Sequence, residues 1–348
     1  MNDGQKLRVA LVGCGRVADK HLAAIESLKA SVELVGVCDS DSDVVAAASR
    51  ASGAPGYTSL SELLAQPCRP ELVALATPSA LHAEQAIEAA RAGCHVMTEK
   101  PMATRWADAL KMVQCCEDAG VELFVIKQIR YNPILQLLKR SLDARRFGRI
   151  YMVDVNVFWT RPQEYYDSAA WRGTWAHDGG ALMNQASHYI DLLTWLIGPV
   201  ESVHAFGSTL ARNIEVEDTA VMNLRWRVGA LGTMSVTMLT YPRNFETTLT
   251  ILGERATIKL GGPACNRVEH WEFDADHPDD DALEQAAEQA LASLRAGHTL
   301  FYRDAIEVLR HGGSPRTDGR EGLKSLELIV AAYRSIQEDR RIAIPFEF

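Results

Sequence analysis

The sequence predicts an α/β protein of two domains: a doubly wound parallel sheet over residues 1–126, then an α+β domain with a large, mostly antiparallel open sheet over residues 127–348. Three observations predict it. A chain of 348 residues exceeds what one hydrophobic core ordinarily holds, at roughly 100–200 residues per domain. From Leu7 to about Ile126, short runs rich in Val, Leu and Ala alternate with Ala-rich amphipathic stretches, the β-α-β pattern of a parallel sheet covered on both faces. Beyond residue 127 the pattern changes to alternating apolar and polar residues, which suits antiparallel strands with one face on a core.

In chain order, strands are expected at 7–12, 32–38, 72–76, 95–99 and 122–126. Helices are expected at Val17–Leu28, Leu60–Ala65, Ala83–Ala92 and Arg105–Ala119, the longer ones with apolar residues at helical spacing. A helix from Pro133 to Arg145 opens the second domain. Ile150–Trp159, Ser202–Gly207, Ala220–Trp226 and Ala230–Leu239 alternate as strands do, and Gly253-Glu254-Arg255 reads as a hairpin loop between Thr/Ile/Leu runs. One helix interrupts them, Gly180–Leu196, stopped by Gly198-Pro199. The acidic stretch Asp274–Asp281 leads into C-terminal helices, one around Leu323–Glu338.

Composition narrows the function classes. With 47% hydrophobic and 23% charged residues, and no apolar run near the roughly 18 residues that a membrane helix needs, a membrane role is not expected. The start of the chain runs directly into Leu7–Val12 without the long apolar core of a secretory signal, so the expected location is the cytoplasm. Cys14, Cys38, Cys68, Cys94, Cys115, Cys116 and Cys265 are odd in number and lack C-x-x-C spacing, which suits reduced core thiols and no metal. A formal charge of −9 argues against nucleic acid as a partner, but not against a small anionic substrate where a few Arg or Lys converge.

Gly13-Cys14-Gly15-Arg16-Val17-Ala18 follows the first strand and opens the first helix, the G-x-G-x-x-G/A pattern in the context that a dinucleotide-binding Rossmann fold requires. Gly13 serves the tight turn, Gly15 lets backbone approach a pyrophosphate, and Ala18 allows close packing. Arg16 and Val17 stand beside the phosphates at the helix N-terminus, where free N–H groups and the helix dipole favour anions. Asp39 ends the second strand 24 residues beyond Gly15, near the spacing at which a carboxylate receives ribose hydroxyls. It would repel a 2′-phosphate, so the expected cofactor is NAD; the competing role for Asp39 is a helix cap or loop aspartate. Thr77-Pro78 lies beyond the third strand on the edge where ligands bind, with His82 shortly after.

Glu99-Lys100-Pro101 ends another strand on that edge, an address from which a lysine projects toward the nicotinamide; the competing reading is a surface lysine in an ordinary turn. In the later helix, Asn184 and His188 are four residues apart and share one face. The glycine pattern at 13–18, Thr77-Pro78, Glu99-Lys100-Pro101 and the helix with His188 together resemble the Gfo/Idh/MocA oxidoreductase family over the whole chain. Finer features, Met97–Trp106, Val155–Asp167, Trp171–Trp175 and Met183–Asp191, are similar to a branch of it that acts on a UDP-linked N-acetylglucosaminuronic acid.

That resemblance implies NAD-dependent oxidation of the C3 hydroxyl to a 3-keto sugar nucleotide, for diaminouronic acid in surface polysaccharide. It also implies a homotetramer joined through the C-terminal sheets, and in some relatives tight NAD recycled by a 2-oxo acid. The implied catalytic groups are Lys100, His188 and Asn184, with Glu99 and Lys100 at the cofactor. Oxidation needs a base for the hydroxyl proton, and an imidazole suits neutral pH, while a lysine ammonium stabilises alkoxide charge. The two roles exchange if burial lowers the lysine pKa. Many relatives place Asp where this chain has Asn184, and a neutral amide cannot stabilise an imidazolium by charge. A sugar-nucleotide acid also needs cations, for which Lys127, Arg130, Arg161 and Arg172 are the candidates, with Tyr131, Trp171, Asn184 and Ser187 beside them. Ile129 departs from the Asn expected in that branch. The alternatives are dehydrogenation of a free sugar or inositol, and a regulator that binds dinucleotide without turnover.

Overall fold

The computed structural model describes residues 6–67 and 69–345. The chain forms two compact units: one from residues up to Gln128 together with Ala296–Leu323, the other from Ile129–Arg295 together with the residues from Lys324 onward. The stretch 296–323, counted with the C-terminal domain in the sequence reading, therefore folds with the N-terminal sheet.

In the first unit, strands β1 (Leu7–Val12), β2 (Val32–Cys38), β3 (Gly56–Tyr57), β4 (Leu72–Leu75), β5 (His95–Thr98) and β6 (Leu123–Val125) form a parallel sheet in the order β3-β2-β1-β4-β5-β6. The run Leu-Val-Ala-Leu of β4 is buried throughout, as a strand covered on both faces must be. The order reverses between β1 and β4, so a crevice opens beyond their carboxyl ends, where the glycine turn and Thr77 lie. Helices Ala18–Ser27, His82–Arg91 and Trp106–Asp118 match expectation within a residue or two.

Beside the two-residue edge strand β3, two further features here were not anticipated. Helix Ser42–Ser52 is capped by the Asp41 carboxylate, which accepts the Asp43 and Val44 N–H groups, and ends at left-handed Gly53. The second is the late return of the chain. Val125 N–H donates to the Thr317 carbonyl at 2.9 Å and the Thr317 hydroxyl to the Val125 carbonyl at 2.8 Å, so residues 317–318 cover the open edge of β6.

The second unit is built on an eight-stranded sheet, β7 (Ile150–Phe158), β8 (Val200–Ser208), β9 (Thr219–Trp226), β10 (Leu231–Thr237), β11 (Glu246–Gly253), β12 (Ala256–Gly261), β13 (Arg267–Phe273) and β14 (Ile342–Ala343). It is antiparallel except for β10 beside β7. Along β9 the burial alternates strictly, with Ala220, Met222, Leu224 and Trp226 inward, as the period-two pattern requires.

The helix expected at Gly180–Leu196 is not regular. A short α-helix, Ser187–Leu192, lies between two wide turns, Ala181–Gln185 and Leu193–Ile197, the first closed by Ala186 N–H donating five residues back to the Ala181 carbonyl. The first N–H groups of the segment, which a helix leaves open, are held by other partners, as described below. Among the described residues no helix is long and apolar enough to cross a membrane. Cys14, Cys38, Cys94, Cys115, Cys116 and Cys265 are free thiols, and Cys68 lies outside the described residues.

Candidate active site

In the first unit the glycine turn is shaped by contact that only glycine permits. Gly13 has a φ of +92°, and a Cβ there would sit 2.6 Å from the Ala76 carbonyl carbon, so the turn lies directly against the end of β4. A Cβ on Gly15 would meet nothing within 4 Å, which leaves the backbone open on the side where a pyrophosphate approaches. The helix that follows has no side chain capping its N-terminus. Arg16 is exposed and Val17 half-buried on this turn.

Asp39 is half-exposed, and its carboxylate accepts the Cys14 N–H at 2.8 Å and the Asp41 N–H at 3.1 Å. Asp41, not Asp39, caps the next helix, which leaves Asp39 fixed at the glycine turn with lone pairs for two ribose hydroxyls. A cradle with room at Gly15, a helix N-terminus that no side chain caps and a carboxylate beside it fits NAD.

Thr77 donates its hydroxyl to Gln85 Oε1 at 2.6 Å and, with Pro78, is half-buried. His82 is buried, and its ring nitrogens lie 2.9 Å from the carbonyls of Pro101 and Thr77, so it ties the two strand-end turns together. Glu99 is buried as well. His21 Nε2–H and His298 Nε2–H donate to its Oε1 at 3.3 and 2.7 Å, and the Lys100 N–H donates to Oε2 at 3.3 Å. Burial opposes the charge, but these imidazole donors outweigh it and hold the carboxyl well below the ordinary range. Burial also lowers the pKa of His21, so its ring is neutral and its Nδ1 accepts the Tyr302 hydroxyl at 2.9 Å. Lys100 stands next to this network, half-buried.

His21, His298 and Tyr302 are groups that the sequence did not single out. A buried histidine at the inward spacing Ala18-His21-Ile25 was the available signal for the first.

In the second unit, the stretch from Ala181 to Leu193 is buried at every residue except Asn184 and His188. These are the two that spacing had placed on one face. Asn184 Nδ2 donates to Asp178 Oδ1, and Asp178 Oδ2 accepts the Gly173 N–H at 2.8 Å. The buried carboxylate thereby fixes which end of the amide faces it and turns the Asn184 carbonyl oxygen away. Asp178 was not foreseen, and it supplies a negative charge at the residue where many relatives carry one. In the Asp178→Asn variant the new amide keeps its oxygen for Gly173 and turns its NH2 to Asn184, reversing the Asn184 amide. We expect kcat to fall by roughly tenfold or more, the scale of a charge-assisted hydrogen bond, with unchanged NADH affinity by fluorescence titration. A kcat within twofold of wild type overturns that role.

The cations proposed for substrate divide into two groups. Arg161 Nε donates to Gln185 Oε1 at 3.0 Å. The Tyr165 hydroxyl accepts from Gln185 Nε2 at 3.0 Å and from Arg172 at 2.8 Å, and the Arg172 guanidinium lies 4.5 and 4.4 Å from the Tyr165 and Trp171 ring centres. Arg161, Arg172 and Trp171 are thus gathered around Tyr165 and Gln185, the residue after Asn184, and Arg172 has no carboxylate partner among the described residues. Arg130, by contrast, is buried in a bidentate pair with Asp191, at 2.7 and 2.8 Å. Ser187 and Lys127 are buried, the latter in the first unit, and Tyr131 is half-buried.

A doubly wound sheet with a dinucleotide cradle, and a second unit whose buried stretch 181–193 opens only at an amide and an imidazole near gathered cations, define an NAD-dependent oxidoreductase. Residues 7–127 match the family description "Oxidoreductase family, NAD-binding Rossmann fold", and residues 139–344 match "Oxidoreductase family, C-terminal alpha/beta domain". The chain belongs to the Gfo/Idh/MocA oxidoreductase family. Among solved structures it is similar to the WlbA dehydrogenase from Bordetella pertussis in complex with NADH and UDP-GlcNAcA, at 54% identity and a TM-score of 0.97 over 100% of both chains. It is also similar to the WlbA dehydrogenase from Chromobacterium violaceum with the same ligands, at 55% identity and a TM-score of 0.95 over 100% of this chain and 98% of that one. A more distant relative is D-apiose dehydrogenase of Paraburkholderia graminis, 27% identical over 98% of this chain and 90% of that protein.

Proposed function

We propose that the protein uses NAD to oxidise the C3 hydroxyl of UDP-GlcNAcA to the 3-keto sugar nucleotide. The observation that carries the substrate is the likeness, at 54% and 55% identity over the whole chain, to two dehydrogenases solved with NADH and UDP-GlcNAcA. The gathering of Arg161 and Arg172 supports it, because the substrate brings a carboxylate and a diphosphate to a protein of net charge −9.

When bound, NAD supplies the nicotinamide that accepts the hydride. Gly13, Gly15 and the open helix N-terminus hold its phosphates, and Asp39 receives the ribose hydroxyls. His188 takes the hydroxyl proton as general base, and Lys100 donates a hydrogen bond to the same oxygen and stabilises its developing charge. Asn184, oriented by Asp178, positions the sugar. Arg161 and Arg172 bind the anionic groups, with Trp171 walling the site. Glu99, held ionised by its two histidines, fixes the turn from which Lys100 extends.

In this reading the protein works in the cytoplasm, on the route to a diaminouronic acid of surface polysaccharide such as O-antigen. It works as a homotetramer. Support for assembly comes from the open face of the second sheet, where Met152, Phe206, Val221 and Leu231 are exposed.

The test is incubation with NAD and UDP-GlcNAcA, with and without 2-oxoglutarate, beside a panel of free sugars and inositols. The expected result is loss of two hydrogens from the sugar-nucleotide mass. An unchanged mass while a free sugar or inositol is oxidised overturns the substrate assignment.

A further inference from the structure

The segment that presents Asn184 and His188 has no cap of its own, for Gly180 stands at its start without a side chain. Its first N–H groups are nonetheless all taken, by two residues from elsewhere in the second unit. Gly180 and Met183 donate to the Tyr333 hydroxyl at 3.0 and 3.3 Å, Ala181 to the Glu217 backbone carbonyl at 3.0 Å, and Leu182 to Glu217 Oε1 at 2.9 Å. The Tyr333 hydroxyl in turn donates to Glu217 Oε1 at 3.0 Å. These four consecutive donors are the ones that a helix leaves open at its start.

Glu217 itself is only 5% exposed, and its second oxygen, Oε2, is buried without a hydrogen-bond partner. A Cβ on Gly180 would lie 1.7 Å from that oxygen, so the carboxyl group is pressed onto the backbone of the segment. A neutral carboxyl tolerates such a place better than a carboxylate, which needs more donors than it has here.

We propose that Glu217 is a positioning residue for the reaction: with the Tyr333 hydroxyl it caps the segment bearing Asn184 and His188, holding it while its carboxyl is protonated and loosening it when the proton is lost. This rests on the reading of Asn184 and His188 as substrate-facing groups. The ionisable neighbours are few. The 180–183 segment offers none, the helix Gly319–Glu338 offers Tyr333, and the chain before β9 offers Asp218, whose carboxylate is held by the N–H groups of Leu210, Ala211 and Arg212. Burial, helped by Asp218, pushes the Glu217 carboxyl up to about 7 against the hydrogen bonds from Leu182 and Tyr333.

The direction of the pH effect follows. In an opened segment the carboxyl meets water and returns to its usual acidity, so deprotonation favours opening. The stabilisation is complete below the ordinary carboxylate range and is lost as pH rises through about 7.

The experiment is amide hydrogen exchange of the peptide spanning 180–186, corrected for intrinsic rates, in wild type, Glu217→Gln and Glu217→Ala at pH 6 and 8. It is paired with kcat for UDP-GlcNAcA oxidation and NADH affinity. Wild-type protection is expected to fall about tenfold from pH 6 to pH 8. Glu217→Gln, which mimics the neutral acid, is expected to lose that pH dependence. Glu217→Ala is expected to lower kcat by about tenfold to a hundredfold, the cost of a small displacement of reacting groups, with NADH affinity unchanged. Protection that is independent of pH in wild type, or the same slope in Glu217→Gln, overturns the proposal. Should Glu217→Ala not fold, Glu217→Gln decides alone. Should wild type leave UDP-GlcNAcA unchanged, the exchange measurement still decides, so failure of the substrate assignment and failure of this proposal are separable.

Discussion

His188→Asn is expected to lower kcat for UDP-GlcNAcA oxidation by about 10²–10⁴-fold, the range that a positioned general base contributes. Asparagine keeps a polar group of similar reach on a half-exposed site, so NADH affinity and thermal stability stay near wild type. The pH profile gives a second readout: a variant without the base has no acid limb set by an imidazole. Lys100→Met in the same assay separates the two role assignments. If lysine only stabilises the oxyanion, its loss lowers kcat but leaves the imidazole limb in place. If lysine is the base, an acid limb set by its ammonium survives in His188→Asn and disappears in Lys100→Met. A His188→Asn enzyme retaining more than about a tenth of wild-type kcat removes His188 from the role of base.

Gly13→Ala is expected to abolish measurable NAD binding and to destabilise the first unit. A methyl there would stand 2.6 Å from the Ala76 carbonyl carbon and 2.7 Å from its oxygen, both backbone atoms just past the end of β4, where the Ala76 N–H is tied to the Val12 carbonyl, and so neither can yield cheaply. The φ of +92° adds strain for any side chain, about 1–3 kcal/mol by itself. Gly15→Ala is the internal control, since no atom lies within 4 Å of its Cβ: it should fold normally and lose affinity only because the methyl occupies space meant for phosphate. Thermal melts and NADH fluorescence titration read both outcomes. A Gly13→Ala protein that binds NADH within tenfold of wild type refutes the close-packing account of this turn.

How much of this was legible in the sequence depends on whether the signal was local. The parallel strands announced themselves as continuous apolar runs, and β9 as strict alternation, because burial on two faces or on one leaves those signatures in the residues themselves. Spacing put Asn184 and His188 on one face, and both are the partly exposed residues of an otherwise buried stretch.

What escaped depended on distant partners. Nothing near Gly180 tells that Glu217 and Tyr333 cap it. Asp178 lay in view but gained meaning only when its carboxylate was found on Asn184. Arg130 looked like a free cation until its partner Asp191, remote along the chain, was known. The helix Ser42–Ser52 is a different case, since Asp41 and Gly53 mark its two ends and its weak propensity hid it.

The return of residues 296–323 bears on how the molecule is made. A ribosome delivers the six strands of the first sheet early, yet Thr317, which shields their outermost edge, and His298, whose imidazole donates to the buried carboxylate of Glu99, emerge only after β7 to β13 of the second sheet. Until then the nascent sheet has a bare margin and an acid poorly matched to its surroundings, which makes that interval the time of greatest exposure to aggregation and to chaperones. The nucleotide-binding half is therefore completed only after most of the second unit has been made, although its strands are translated first.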